Sequence, residues 1–79
     1  MRNLLIYKYI SEVAKSGSVR KAAEKLAITP SSLNRRVQSF EYEIGAPIFE
    51  RSSKGVRLNP AGELVVHSFR KHLAEIEEL

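Results

Sequence analysis

The 79-residue sequence has no cysteine, no tryptophan and no run of apolar residues long enough to cross a membrane. Without cysteine the chain forms neither a disulfide framework nor a zinc site with thiolate ligands, which fits a reducing compartment such as the cytoplasm. A chain of this length buries only roughly 60% of its unfolded surface, which leaves no room for a deep substrate cavity. We therefore expect one small domain that is soluble, cytoplasmic, not exported and not an enzyme.

Positive charge is concentrated in the middle of the chain. The whole sequence holds 13 Lys or Arg and 9 Asp or Glu, a net charge of +4. Residues 15–57 hold nine Lys or Arg against four Glu, a net charge of +5, whereas residues 60–79 have a net charge of −2. A localised basic region is typical of proteins that bind a polyanion such as nucleic acid, although many small basic domains bind nothing.

Apolar residues at helical spacing predict two helices at the start of the chain. The first covers residues 3–15 and is stopped by Gly17. The second is short, covers about residues 19–26, and has Ser18 as its N-cap. A tight turn at residues 27–29 is predicted to follow it.

A third helix is predicted from Pro30 to Ile44. Thr29 is a good N-cap before a proline at the first helical position, and Gly45 is a natural left-handed C-cap. One face carries an apolar stripe of Leu33, Val37, Phe40 and Ile44. The opposite face carries short polar side chains and arginine, namely Ser31, Ser32, Arg35, Gln38 and Ser39, with Asn34 and Arg36 at its flanks. Side chains of this kind suit base edges and phosphates better than a protein core.

A small hairpin and a long helix are predicted after Pro47. Residues 48–51 and 56–58 flank a basic, glycine-containing tip and indicate two short strands. Asn59 then caps a last helix that continues to Leu79. A helix this long must bury its apolar stripe, and we expect the stripe to lie in the core or in a dimer interface: Val65, Phe69, Leu73 and Ile76.

This order of elements predicts a mainly α fold, a winged helix-turn-helix. It would have a three-helix core, a small β-hairpin wing and a long carboxyl-terminal helix. Residues 1–58 would be the DNA-binding domain, with the helix-turn-helix at about 19–38 and the wing at about 48–58. Residues 59–79 would form the long last helix. In such folds the second helix of the pair enters the major groove, and the hairpin contacts flanking backbone or the minor groove.

Short motifs along nearly the whole chain resemble those of one protein family. They are Gly17-Ser18, Lys21-Ala22-Ala23, Leu26, Phe40-Glu41, Ile44-Gly45, Pro47-Ile48-Phe49-Glu50-Arg51 and Leu58-Asn59-Pro60-Ala61-Gly62. In these motifs and their spacing the chain resembles the amino-terminal DNA-binding domain of LysR-type transcriptional regulators. The resemblance implies a dimeric bacterial regulator in which residues 59–79 form the linker and dimerisation helix that pairs two subunits. Members of that family normally carry a longer carboxyl-terminal domain that binds a small-molecule effector, and these 79 residues do not include one. The resemblance therefore implies that the chain is an excised piece or that its parent protein is unusual.

The resemblance also implies DNA contacts, with differences in the recognition helix. The family usually has Ser-Gln where this chain has Thr29-Pro30, and proline lacks the side-chain hydrogen bonds of glutamine. The family's frequent serine at the next contact position is Asn34 here, and its arginine is retained as Arg35. Because asparagine can form a bidentate hydrogen-bonded pair with adenine, the base preference is expected to differ from that of relatives with serine.

Two sets of residues are therefore expected to contact DNA. Bases would be read by Ser31, Ser32, Asn34 and Arg35. Phosphates or the minor groove would be contacted by Ser18, Arg20, Lys21, Thr29, Arg36, Arg51 and Lys54, the last two matching the family's wing. For Arg51 and Lys54 the alternative is plain solvent exposure or a salt bridge with Glu50. About half of the basic charge on the second helix is expected only to aid solubility.

No catalytic, metal or cofactor site is predicted. His67 and His72 are five residues apart, which separates them by about 140° on a helix, whereas a zinc pair needs i, i+4 spacing. No nucleophile-and-base set and no phosphate-binding glycine loop is present. The expected partners are double-stranded DNA and a second copy of the chain, with no membrane. The alternatives are a winged-helix module that binds another protein, a winged-helix regulator of another family, and an enzyme.

Overall fold

The computed structural model describes residues 4–79, so residues 1–3, which include the predicted start of the first helix, lie outside the described part. Its elements are α1 (Leu4–Ser16), α2 (Val19–Leu26), α3 (Pro30–Ile44), β1 (Phe49–Ser52), β2 (Gly55–Leu58) and α4 (Pro60–Glu77). The predicted winged helix-turn-helix fold is confirmed, with α2 and α3 as the helix pair and β1 and β2 as the wing. Both strands reach one residue nearer the tip than predicted, and α4 ends before Leu79.

Local capping signals set the ends of the helices. Oγ1 of Thr29 accepts a hydrogen bond from the Ser32 N–H at 3.1 Å, which satisfies one of the free donors at the start of α3. Gly45 closes the other end of α3 in the left-handed region, with φ of 78°. Ser18 and Asn59 cap α2 and α4 in the same way as Thr29 caps α3, each through its side-chain oxygen.

The turn between α2 and α3 places Ala27 in the left-handed region, with φ of 59° and ψ of 40°. This conformation costs an alanine about 1–2 kcal/mol, whereas glycine adopts it without that strain. We expect Ala27→Gly to raise the free energy of unfolding by about 0.5–1 kcal/mol, since part of the gain is offset by the greater freedom of glycine in the unfolded chain. Thermal unfolding followed by circular dichroism measures the change.

The matched control is the same substitution in a regular helix. Ala74 is exposed in α4, where glycine is less favourable than alanine by about 1 kcal/mol. Ala74→Gly is therefore expected to lower the melting temperature while Ala27→Gly raises it. A melting temperature that falls in both variants would contradict the strained turn.

The core lies where α1, α2 and α3 meet, and the start of the wing and α4 cover its edge. Ala22 and Ala23 are 0% and 1% exposed, because small side chains let α2 approach its neighbouring helices closely. Ile44, which the sequence pattern placed in the buried stripe of α3, is 43% exposed, since it lies in the last turn before the chain bends away at Gly45. The buried apolar side chains are Tyr9, Ile10, Val13, Ala22, Ala23, Leu33, Val37, Phe40, Ile48, Phe49 and Val66.

Hydrogen bonds fix the wing to the helical core. The Val56 N–H donates to the carbonyl oxygen of Gly17, in the turn between α1 and α2, at 3.1 Å. The Ile48 N–H donates to Oε2 of Glu41 on α3 at 2.8 Å. The Asn59 N–H, at the start of α4, donates to the carbonyl oxygen of Ile48 at 3.0 Å. Because an isolated two-stranded hairpin is only marginally stable in water, these contacts set the position of the wing beside α3.

Candidate nucleic-acid interface

The outer face of α3 is open, while its inner face holds it in the core. Leu33 and Val37 are buried, which fixes the rotation of α3 about its axis. Arg35 and Ser31 are exposed on the outer side, and Asn34 is partly buried beside them. This rotation brings the predicted base-reading residues together on an accessible surface, with Ser32 partly buried at its edge.

The first turn of α3 is rich in hydroxyl groups. Oγ1 of Thr29 and Oγ of Ser31 lie 3.3 Å apart and share a hydrogen bond. Oγ1 of Thr29 also accepts the cap hydrogen bond from the backbone. Pro30 stands between them and has no N–H to donate. Thr29 and Ser31 are exposed, so they can meet a phosphate or a base edge at the start of the helix.

The predicted phosphate contacts on α2 lie at its amino-terminal end. Arg20 and Lys21 are exposed in the first turn. Ser18 precedes them, and its Oγ accepts the hydrogen bond from the Lys21 N–H at 3.2 Å. The oxygen of Ser18 is therefore engaged as a cap, which leaves its hydroxyl hydrogen as the donor for any further contact.

Arg36 lies at the flank of the predicted base-reading face, on the side of α3 that meets α1. The Cζ atom of its guanidinium is 5.6 Å from the centre of the Tyr9 ring on α1, a cation–π distance. The side chain remains exposed, but the ring holds it over α1. The phosphate contact predicted for Arg36 stays a prediction. The sequence pattern did not reveal Tyr9 as its partner, because the two residues lie on different helices.

The wing places one basic residue at its tip and another beside α3. Lys54 is exposed in the two-residue turn, where its backbone N–H donates to Oγ of Ser52 at 3.2 Å. Arg51 on β1 donates from Nη2 to Oδ1 of Asn34 at 3.4 Å, which brings the wing into contact with α3. The contact joins a predicted phosphate-contacting residue on the wing to a predicted base-reading residue on α3.

The carboxylate of Glu50 pairs with Arg57, not with Arg51. Oε1 of Glu50 is 3.4 Å from Nη2 of Arg57, and both side chains are largely exposed. The two residues face each other across the antiparallel ladder, whereas successive residues of a strand point to opposite faces. The Arg51–Glu50 salt bridge considered from sequence is therefore not formed, and strand register was the signal that could have identified Arg57.

The apolar stripe of α4 begins inside the chain's own core. The Phe69 ring is 5.2 Å from the ring of Tyr7 and 6.1 Å from that of Phe40, centre to centre. Val65 is partly buried against the same core, whereas Ile76 further along is 46% exposed. Within residues 4–79, no helix is both long enough and apolar enough to span a membrane.

The chain is similar to a family of bacterial regulatory proteins and to individual transcriptional regulators. Residues 6–63 match the family described as "Bacterial regulatory helix-turn-helix protein, lysR family". The chain is 37% identical over 70 residues to the HTH-type transcriptional regulator TfdT of Cupriavidus pinatubonensis. It is 35% identical over 79 residues to the HTH-type transcriptional regulator CzcR of Bacillus subtilis. These matches cover 89% and 100% of this chain, but only 31% of TfdT and 26% of CzcR.

Solved structures of similar fold include complexes with DNA. A structure described as a BenM_DBD/catB site 1 DNA complex superposes with a TM-score of 0.79 and 32% identity. The match covers 91% of this chain and 81% of that one. A structure described as a CbnR_DBD–DNA complex gives a TM-score of 0.80 and 29% identity, covering 91% of this chain and 83% of that one.

Proposed function

Because the chain belongs to the LysR family of bacterial helix-turn-helix regulatory proteins, we propose that it is a domain that reads a specific sequence of double-stranded DNA as a homodimer. The observation that carries the proposal is the open outer face of α3, polar and basic, beside a basic wing. Two structures of the same fold are described as complexes with DNA, which supports the same ligand for this chain. The domain would serve a transcriptional regulator, as the names of its relatives suggest.

The outer face of α3 would read bases in the major groove. Arg35 is exposed and can form a two-bond pair with guanine, the commonest specific contact of its type. Asn34 has both a donor and an acceptor, and Ser31 and Ser32 can hydrogen-bond to any base edge. A bidentate pair of hydrogen bonds to one base discriminates against the wrong base by about 1–3 kcal/mol.

A second set of residues would contact phosphates or the minor groove. They lie at the start of α2, at the start of α3, on the flank of α3 and on the wing, and each is either positively charged or uncharged. Such contacts give affinity without sequence preference and make binding depend on salt. We assign this role to Ser18, Arg20, Lys21, Thr29, Arg36, Arg51 and Lys54.

The homodimer would form through the outer part of α4. Phe69 and Val65 have partners in the chain's own core, so Leu73 and Ile76 are the parts of the stripe most available to a second copy. Two bound copies would place their half-sites about one helical turn, ~34 Å, or a multiple of it apart. Because the chain spans about a third or less of its curated relatives, we assign any small-molecule effector to sequence outside it.

Selection from a random duplex library tests the proposal. The expected result is a two-fold symmetric motif that binds at least about a hundredfold tighter than a scrambled duplex, since specific sites commonly exceed non-specific ones by about 10³ or more. The chain is assayed alone and fused to a dimeric coiled coil, so that weak dimerisation is not mistaken for lack of recognition. Equal binding of both duplexes by both forms at low salt would refute the proposal and favour a module that binds another protein.

A further inference from the structure

The wing and α3 contact each other through two polar side chains. Nη2 of Arg51 on β1 donates to Oδ1 of Asn34 on α3 at 3.4 Å. The side chain of Asn34 is partly buried, whereas that of Arg51 is exposed and reaches Asn34 from the wing. The contact therefore links a proposed base-reading residue to a neighbouring element.

The chemistry of the pair determines which end of the Asn34 amide faces the wing. A guanidinium group carries only N–H donors, so it pairs with the amide oxygen and not with the amide nitrogen. Oδ1 of Asn34 therefore points toward Arg51, and Nδ2, with its two N–H donors, is left for a ligand. At 3.4 Å the hydrogen bond is long, so it biases the orientation of the amide without locking it.

We propose that Arg51 is a positioning residue that turns the Asn34 amide into a donor toward DNA and so sets the base preferred at that position. The inference rests on the proposed function and concerns how the same site chooses its sequence. A two-bond pair with adenine needs Oδ1 to accept from the N6 amino group while Nδ2 donates to N7. With Oδ1 turned to Arg51, Asn34 offers mainly donors, which suit N7 and O6 of guanine or O4 of thymine.

Arg57 provides a matched control on the same hairpin. It lies on β2, is exposed, and pairs with Glu50 across the ladder at 3.4 Å. Arg57→Ala removes the same charge from the wing as Arg51→Ala but leaves the contact with Asn34 in place. A difference between the two variants at one base position therefore reports on Asn34 and not on the charge of the wing.

The test compares four forms of the selected duplex that differ only at the position where Asn34→Ala loses base preference. Wild type is expected to favour guanine or thymine there. Arg51→Ala is expected to shift relative binding toward adenine by about fivefold, at the lower end of what one two-bond base contact discriminates. Arg57→Ala is expected to keep the wild-type preference. Arg51→Lys, which still supplies a donor, is expected to keep most of it.

Three results would overturn the inference. A wild-type preference for adenine, or an Arg51→Ala variant with unchanged preference and uniformly weaker binding, overturns the inference. An equal shift in Arg57→Ala also overturns it, because the charge of the wing would then be the cause. Wild-type protein that binds selected and scrambled duplexes alike is a separate result, since it refutes the proposed function itself. The NMR signals of the Asn34 side-chain amide in the free protein are expected to move in Arg51→Ala and not in Arg57→Ala.

Discussion

Gly62→Ala is expected to lower the free energy of unfolding by about 3 kcal/mol or more, a large part of the roughly 4–12 kcal/mol typical of a domain this size. A Cβ on Gly62 would overlap the carbonyl oxygen of Ile48 and lie 2.7 Å from Cδ2 of Leu58. The leucine tip can rotate away. The Ile48 carbonyl cannot move freely, because it accepts the hydrogen bond from the Asn59 N–H at the start of α4. The first turn of α4 would have to separate from the wing.

The expected change in the free energy of unfolding is opposite in sign to the change that helix propensity alone predicts. Inside an exposed helix, alanine is more favourable than glycine by about 1 kcal/mol, so an open position in α4 would gain stability from the same change. Gly45→Ala is the matched control, because its added Cβ meets nothing within 4 Å. Its effect is limited to the left-handed φ of 78°, which destabilises alanine by about 1–2 kcal/mol.

Urea denaturation followed by circular dichroism measures both variants. We expect the midpoint to fall moderately in Gly45→Ala and much further in Gly62→Ala, with no folded baseline if the domain fails to form. A Gly62→Ala midpoint equal to or above that of wild type would show that the start of α4 is not packed against the wing as described.

Local signals were sufficient to predict the helices from the sequence. Thr29 followed by Pro30, and Gly45 fifteen positions later, bound α3 at the predicted residues, because caps act within one turn of the backbone. Ser18 and Asn59 acted in the same way for α2 and α4. Where burial depends on other elements the pattern was less accurate, as the exposure of Ile44 shows.

Contacts between elements were not predictable in the same way. Arg51 and Asn34 are separated by 17 residues, and their contact depends on how the wing docks against α3. In that docking the Glu41 carboxylate accepts a hydrogen bond from the Ile48 N–H. The local sequence around either residue gives no signal that predicts this bond. The position of Phe69 between two rings of the core likewise depends on the packing of α4 across α1 and α3. Sequence could name the candidate site residues but not their partners.

Arg35→Ala and Lys54→Ala are expected to weaken DNA binding in two different ways. Arg35 lies on the outer face of α3, so its loss should cost about 1–3 kcal/mol on the selected duplex and reduce the preference at one base pair. Lys54 lies at the tip of the wing, so its loss should weaken binding to selected and scrambled duplexes by a similar factor. The slope of log affinity against log salt should become shallower by about one in Lys54→Ala, because one phosphate contact is lost.

Titrations of both duplexes across a range of salt concentrations distinguish the two roles. Lys71→Ala is the charge-matched control, since Lys71 is exposed on α4 and belongs to neither set of DNA contacts. It should change the salt slope less than Lys54→Ala and leave base preference intact. Equal losses on selected and scrambled DNA for Arg35→Ala would remove Arg35 from base reading. A Lys54→Ala slope equal to that of Lys71→Ala would place the tip of the wing away from the phosphates, so that the wing would act on DNA only through Arg51 and its contact with α3.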